Sequence, residues 1–192
     1  MQYTSLFEYY SKVLPISKTH WQDFEHLCHF ASIKKGEVLL NPGAEVKEFG
    51  LILKGIFKLS YVNPDGSESI KCFRQEHQLL AAYAEYIQAI PSRTLITAIE
   101  DSEMILIKFD DFEKLAKTSP VWLGLKIKIT EEHFIIKDKR EYDFLMRSAL
   151  ERYEILLEEN PNLLERVPQY LIANYLGITP VALSRILSKK KE

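Results

Sequence analysis

The chain has 192 residues, 46% of them hydrophobic, with a formal net charge of -2 and a pI of about 6.2. This length is enough for one large domain or two small ones with a buried core. The balanced charge argues against a protein that covers nucleic acid or membrane with one broad basic surface. Any contact with DNA must therefore come from a local patch.

Cysteine content and hydropathy exclude further classes. The two cysteines, Cys28 and Cys72, lie too far apart to suggest a zinc site or a four-cysteine cluster. The first residues do not form a charged and then apolar leader, and no stretch reaches the ~18 apolar residues that a membrane span requires. We expect a cytoplasmic protein with no membrane partner, no metal and no certain cofactor.

Residues 17–31 predict one amphipathic helix. Apolar side chains recur at three- and four-residue spacings after a Ser/Thr start: Trp21, Phe24, Leu27, Cys28 and Ala31. His26 and His29 would share one face of this helix. Because no third ligand is in view, we interpret them as a packed or exposed pair rather than as metal or haem ligands.

The sequence from Lys35 to Phe109 is typical of a β-protein. Turn formers separate short apolar runs: EVLLN, FGLILKG, IFKLSYV, SIKCF, TLITAIE and EMILIKF. Residues 63–66 predict the clearest hairpin turn, with Pro64 fixing one φ angle and Gly66 accepting a positive one. Many short, evenly spaced strands predict a sandwich or roll.

Helical patterns follow Asp110. DDFEKLAKTSP predicts a short helix, and residues 121–160 contain no proline. Because about forty residues are long for one helix in a small protein, we expect a connecting helix, a break near 137–142, and a second helix. Two apolar stripes support this division: Trp122, Leu125, Ile129 and Ile136, and then Met146, Leu150, Tyr153 and Leu157.

Residues 164–188, LERVPQYLIANYLGITPVALSRILS, carry the most specific motif. Pro168 can start one helix, Gly177 supplies a left-handed turn, and Thr179 caps a second helix that begins at Pro180. Ala173 lies four residues before the glycine, which is helix-turn-helix spacing. The second helix would turn three side chains inward: Leu183, Ile186 and Leu187.

The outward residues of this second helix are the DNA-binding candidates. They are Thr179, Val181, Ala182, Ser184, Arg185, Ser188, Lys189 and Lys190. Arginine can bind a guanine edge with two hydrogen bonds, whereas serine and lysine mostly hold phosphates. A helical hairpin with a solvated lysine tail stays open as the alternative. The acidic pI favours it, and the local positive charge at the end argues against it.

In order along the chain, these segments resemble the Crp/Fnr family of transcriptional regulators, in particular its short Bacteroidetes-type members. The resemblance implies an α+β chain with a jelly-roll-like, cyclic-nucleotide-binding-like sensor domain (1–118), a connecting and dimerisation helix (119–145) and a helix-turn-helix domain (146–192). It also implies a homodimer, double-stranded DNA and RNA polymerase as partners, and a recognition helix over 179–187. The sequence ends at Glu192, so we expect no full wing.

Departures from the family pattern concern the effector pocket. Nucleotide-binding members carry a Gly-Glu pair and then an Arg-Ser pair; the matching residues here are Ala81 and Ala82, and Ser92 and Arg93 in reverse order after a proline. The ribose-binding carboxylate is therefore absent, and we expect no cyclic nucleotide effector. The expected pocket, whose small-molecule effector is unknown, comprises Ala81, Ala82, Tyr83, Ser92, Arg93 and Thr94. Val181 also replaces the family's usual glutamate.

Two functional hypotheses remain from the sequence. The first is an effector-responsive regulator, and the second is a ligand-binding or dimerisation module with a degenerate DNA-binding end. An enzyme has no support, because no nucleophile with an adjacent base is found. Four carboxylates are interpreted as solvated turn charges: Glu85, Glu100, Asp101 and Glu103. Tyr83 and Tyr86 could line the pocket or belong to the core, and Arg93 could contact a ligand or form a surface ion pair.

Overall fold

The computed structural model of the chain describes residues 3–189, over which it has nine helices and eight strands. The chain divides into two compact units between Thr130 and Glu131. The first unit contains α1 (Thr4–Val13), α2 (Lys18–Glu25), β1 (His29–Ile33), β2 (Val38–Leu40), β3 (Glu48–Lys54), β4 (Phe57–Val62), β5 (Glu68–Arg74), β6 (Leu79–Leu80), α3 (Tyr83–Ile87), β7 (Thr94–Ala98), β8 (Ser102–Lys108) and α4 (Phe109–Thr118). Helix α5 (Pro120–Met146) crosses the division, and α6 (Ala149–Glu159), α7 (Leu163–Arg166), α8 (Gln169–Tyr175) and α9 (Pro180–Lys189) follow.

Eight strands form two four-stranded antiparallel sheets, with strand orders β1-β8-β3-β6 and β2-β7-β4-β5. One core cluster draws on both sheets and includes Ile52, Phe57, Ile96 and Met104, all buried. The predicted hairpin turn between β4 and β5 is confirmed: Gly66 has a φ of 83° and donates its N–H to the Asn63 carbonyl at 2.9 Å. The predicted β-roll is therefore present.

An aromatic core lies where α1, α2, α4 and the start of α5 cover the roll. Phe24 stacks on Trp122 at 4.9 Å between ring centroids, and the Trp21 ring is 6.4 Å from that of Trp122. All three side chains are almost completely buried. Burial of such large rings contributes several kcal/mol in total, at roughly 1.5–3 kcal/mol per large apolar side chain, and fixes the start of α5 on the first unit.

The predicted helix over 17–31 is wrong in its second half. Ser17 caps α2 as expected, accepting a hydrogen bond from the His20 amide, but α2 ends at Glu25. Residues from His29 onward form β1 and pair with β8. Backbone pairing with a strand distant in sequence overrides the helical spacing, because it satisfies the N–H and C=O groups of a whole edge at once. The sequence pattern also gave no prediction of α1.

The predicted break at 137–142 is absent, and α5 runs for 27 residues. The segment is rich in charged residues but has no proline or glycine, so nothing in it stops a helix. The chain instead bends after Met146. Ser148 starts α6 with a capping box, in which its hydroxyl accepts from the Glu151 amide and the Glu151 side chain accepts from the Ser148 amide.

The helices of the second unit bury a set of apolar side chains. Its buried side chains include Tyr153, Leu156, Leu163, Val167, Ile172, Ala173, Leu176 and Leu183. Over residues 3–189, no single helix is long and apolar enough to span a membrane. Only Gln169–Tyr175 and Pro180–Ser188 taken together have sufficient apolar length, and they are bent by 102°.

Candidate nucleic-acid interface and effector region

The turn between α8 and α9 has the geometry that the sequence predicts. Gly177 has a φ of 70°, and its N–H donates to the Asn174 carbonyl at 2.9 Å. The Ile178 N–H donates to the Ala173 carbonyl at 3.0 Å. Thr179 then caps α9, because its Oγ1 accepts from the Ala182 amide at 3.2 Å. A glycine is needed here, since other side chains rarely adopt this φ.

Helix α9 separates a buried face from an exposed one. Leu183 is 1% exposed and Val181 is 62% exposed, while Ile186 and Leu187 are half-buried. Four candidates lie at i, i+3, i+4 and i+7 on the exposed face: Val181, Ser184, Arg185 and Ser188. Thr179 is exposed, and Ala182 is half-buried at its edge. Lys190 lies outside the described residues, and Lys189 is described only in its backbone.

Candidate effector residues at the start of α3 are mostly packed. Ala82 is 1% exposed and Ala81 is half-buried against the aromatic core. The ring centroids of Tyr83 and Tyr86 are 5.7 and 4.0 Å from that of Phe109. The two tyrosines are partly buried and stack against the core of the roll.

Glu85 is the one residue of this region whose environment the sequence interpretation misjudged. It is 1% exposed rather than solvated, and its Oε1 accepts from Thr94 Oγ1 at 3.0 Å. Arg93 Nε lies 3.8 Å from the same oxygen. Oε2 is buried with no hydrogen-bond partner among residues 3–189. No local signal indicated this burial, because the partner of Glu85, Thr94, lies nine residues later in another element.

The loop before β7 holds the partners of Glu85 in place. Ser92 is buried; its Oγ accepts from the Thr94 amide at 3.0 Å and donates to the Thr94 carbonyl at 2.8 Å. Thr94 is fully buried, whereas the Arg93 side chain is 60% exposed. The structure thus brings Arg93 and Thr94 together on one carboxylate, with Arg93 in an ion pair at the surface.

Other titratable candidates are not gathered into a site. Asp101 is exposed and accepts from the Lys35 amide, and Glu103 is also exposed. His26 and His29 are both exposed; His26 follows α2 as its C-cap, and His29 is in β1 rather than in the predicted helix. Between residues 3 and 189, no group of three or more His, Cys, Asp or Glu side chains is placed to hold a metal ion.

The chain is similar to known proteins in one domain family and in its fold. Residues 30–119 match the cyclic nucleotide-binding domain family. No curated protein matches the chain in sequence. Among solved structures, FixK2 from Bradyrhizobium japonicum is similar with a TM-score of 0.73 and 20% identity, covering 84% of this chain and 83% of its own.

Two further structures match most of the chain. The c-di-GMP responsive global regulator CLP from Xanthomonas campestris has a TM-score of 0.73 and 13% identity, covering 91% of this chain and 92% of its own. A protein from Eubacterium rectale assigned to the Crp/Fnr family of transcriptional regulators has a TM-score of 0.71 and 17% identity, covering 92% and 84%. Residues 30–119 are therefore similar to the cyclic nucleotide-binding domain family, and the chain has the fold of FixK2 and of the Crp/Fnr protein from Eubacterium rectale, as its sequence predicts.

Proposed function

We propose that the chain is a DNA-binding transcriptional regulator whose α9 enters the major groove. The observation that carries the proposal is the exposed row on α9, in which Arg185 lies beside Ser184 and Val181. Arginine can bind guanine O6 and N7, and valine can contact only the methyl group of thymine. The row lies on the face opposite Leu183, so presenting it to DNA leaves the core intact.

The DNA-binding proposal is tested by selecting duplexes from a random pool and titrating the winner against the full chain and two variants. We expect Arg185→Ala to weaken specific binding by about 1–3 kcal/mol and to relax preference at one base position. Lys117→Ala, which removes an exposed charge from α4 in the first unit, should leave binding unchanged. Equal affinity of Arg185→Ala and the unmodified chain would contradict the proposal.

A homodimer through α5 is the second part of the proposal. Large apolar side chains on this helix are exposed: Leu123 45%, Ile127 49%, Phe134 71%, Ile135 64% and Ile136 51%. Exposed apolar side chains on a long helix are typical of a surface covered by a partner. We expect the unmodified chain to be dimeric by light scattering and Phe134→Glu to be monomeric. A monomeric unmodified chain would exclude this arrangement.

We further propose that an effector other than cyclic AMP acts on the β-roll. Two features support this. Arg93, the residue nearest the family's phosphate-binding position, is paired with Glu85, and the resemblance in sequence aligns Ala82 with the ribose-binding carboxylate of nucleotide-binding members. A cyclic phosphate could bind Arg93 only by displacing the buried Glu85 carboxylate from it. Because that carboxylate would lose its cation, the displacement raises the free-energy cost of binding. We expect millimolar cyclic AMP to give no heat in calorimetry and no change in affinity for the selected duplex. Saturable binding of cyclic AMP would contradict the proposal on the effector but not the proposal on DNA binding.

The alternative is a ligand-binding or dimerisation module whose DNA-binding end is degenerate. The replacement of the usual glutamate by Val181 favours it, since valine offers no hydrogen bond to a base. In that case, selection would enrich no sequence, and binding would be weak and lost as salt rises.

A further inference from the structure

Two arginines lie against the end of α8, the first helix of the helix-turn-helix. Arg140, on α5, donates from Nη2 to the Tyr175 carbonyl at 3.1 Å. Arg152, on α6, donates from Nη2 to the Leu176 carbonyl at 2.9 Å and from Nη1 to the Arg147 carbonyl at 2.7 Å. All of these residues belong to the second unit.

Phe144 contacts both guanidinium groups and also lies against the turn. The Cζ atoms of Arg140 and Arg152 are each 4.7 Å from the centroid of its ring. Arg140 also lies 3.9 Å from the Tyr175 ring centroid. A Cβ atom on Gly177 would come within 2.9 Å of Phe144 Cε1, so the ring closely covers the turn. Planar guanidinium groups stack on aromatic faces while donating from their edges, which suits both kinds of contact here.

With these bonds, every carbonyl at the end of α8 has a donor. The Ile172 carbonyl accepts from the Leu176 amide, Ala173 from Ile178, and Asn174 from Gly177. The next two carbonyls, of Tyr175 and Leu176, accept from the arginines. Helix ends carry orphan carbonyls and partial negative charge, so cations are favoured there. The turn itself satisfies the first three carbonyls, and α5 and α6 supply the donors for the last two.

We propose that Arg140 and Arg152 are positioning residues for DNA binding, which set the orientation of the α8–α9 turn through these two carbonyls. The inference rests on the proposed function. Both side chains touch backbone and ring faces at the turn, whereas the centre of the unit is apolar and includes Leu183 and Ile172. Removing one guanidinium should therefore loosen the turn without unfolding the unit.

Lys139 provides a matched control on the same helix. Its ammonium group forms an ion pair with Glu159 of α6, and both side chains are about half exposed. Lys139→Ala removes one positive charge from α5, as Arg140→Ala does, but the link that it breaks joins α5 to α6 and not to the turn. The difference between the two variants therefore isolates the contact with the turn. Arg140→Lys keeps the charge and one donor, but it loses the planar group that stacks on Tyr175.

The test uses the full chain with two readouts. Amide hydrogen exchange by NMR should be about tenfold faster at Gly177 and Ile178 in Arg140→Ala, unchanged in Lys139→Ala and intermediate in Arg140→Lys. The dissociation constant for the selected duplex should rise about tenfold in Arg140→Ala, with the same salt dependence as the unmodified chain, since no phosphate contact is lost.

Three results would overturn the inference. Unchanged exchange at the two amides would show that Arg140 does not hold the turn. Faster exchange with unchanged DNA affinity would separate the turn from DNA binding. A reduced salt dependence would indicate that Arg140 contacts phosphate directly. Absence of sequence-specific binding by the unmodified chain would instead exclude the proposed function, and the positioning role with it.

Discussion

The hydroxyl group of Thr94 donates to the buried carboxylate of Glu85, with 3.0 Å between Oγ1 and Oε1. Arg93 Nε lies 3.8 Å from the same oxygen, so one hydroxyl group and one exposed guanidinium stabilise a charge that α3 carries into the roll. A buried carboxylate is tolerated only when such partners offset the cost of removing it from water.

Removing the hydroxyl group should destabilise the first unit. We expect Thr94→Val, which keeps the shape of the side chain, to lower the free energy of unfolding by about 1–3 kcal/mol, because Glu85 loses a hydrogen bond. Urea unfolding followed by tryptophan fluorescence measures this, since Trp21 and Trp122 both lie in the first unit. Thr97→Val, a half-buried position of the same strand, is the control. An equal decrease in the free energy of unfolding in both variants would mean that the hydrogen bond from Thr94 to Glu85 does not stabilise the first unit.

Two glycines should respond in opposite ways to alanine. Gly124 lies within α5 with open space around its missing Cβ, so Gly124→Ala should stabilise the chain by up to about 1 kcal/mol. Gly177→Ala should destabilise it by about 1–2 kcal/mol or more, since its φ of 70° is unfavourable for alanine and the new methyl group meets Phe144. Denaturation followed by circular dichroism compares them, and a stabilising Gly177→Ala would show that the turn adopts another conformation.

Glu68 should make part of the stability dependent on pH. Burial alone would raise the pKa of Glu68, but hydrogen bonds from Lys58 at 2.6 Å and Ser60 at 2.5 Å lower it below its usual 4.5. A depressed folded-state pKa contributes stability above the unfolded-state pKa, and this contribution disappears as the pH falls through the folded-state value. The difference in unfolding free energy between the unmodified chain and Glu68→Gln should thus be constant at neutral pH and shrink below about 4.5. If the difference in unfolding free energy increased at acidic pH, Glu68 would not be stabilised by Lys58 and Ser60.

Cys28 should be chemically inert in the folded chain. Burial, and then the charge of Glu25, raises the pKa of its thiol to about 12, so the thiol stays protonated at pH 8. In a Cys72→Ser variant, which leaves Cys28 as the only thiol, alkylation by iodoacetamide should be slow until denaturant is added. Fast labelling of the native protein would mean that the start of the roll opens readily.

Local chemistry made the helix-turn-helix predictable from sequence. The positive φ at position 177 favours glycine, and the amide at the start of α9 favours a capping residue such as Thr179. The buried face of α9 favours an apolar residue such as Leu183. Each of these requirements can be recognised from a few neighbouring residues. The β-roll was predictable for a similar reason, since its turns and strands alternate at short range. Helix-turn-helix geometry and the roll are both confirmed.

Long-range contacts explain what sequence analysis missed. His29 and its neighbours form β1 only because β8 lies beside them, more than seventy residues later. The burial of Glu85 depends on Thr94, and nothing in the order of residues places that hydroxyl group beside α3. The same is true of Arg140, which lies in the segment 137–142 where the sequence predicts a break, and whose partner Tyr175 is 35 residues away. Tertiary partners, rather than propensity, decide these positions.

The pairing of Glu85 with Arg93 also limits how this protein can evolve. A neutral residue in place of Arg93 alone would leave a carboxylate in the roll without its cation, and a neutral residue in place of Glu85 alone would free a guanidinium at the surface, ready to bind an anion. The two changes are thus unequal as first steps. Loss of Arg93 first would leave the buried Glu85 carboxylate with the hydroxyl group of Thr94 but without a cation, so we expect substitution at position 85 to destabilise the first unit less than substitution at position 93.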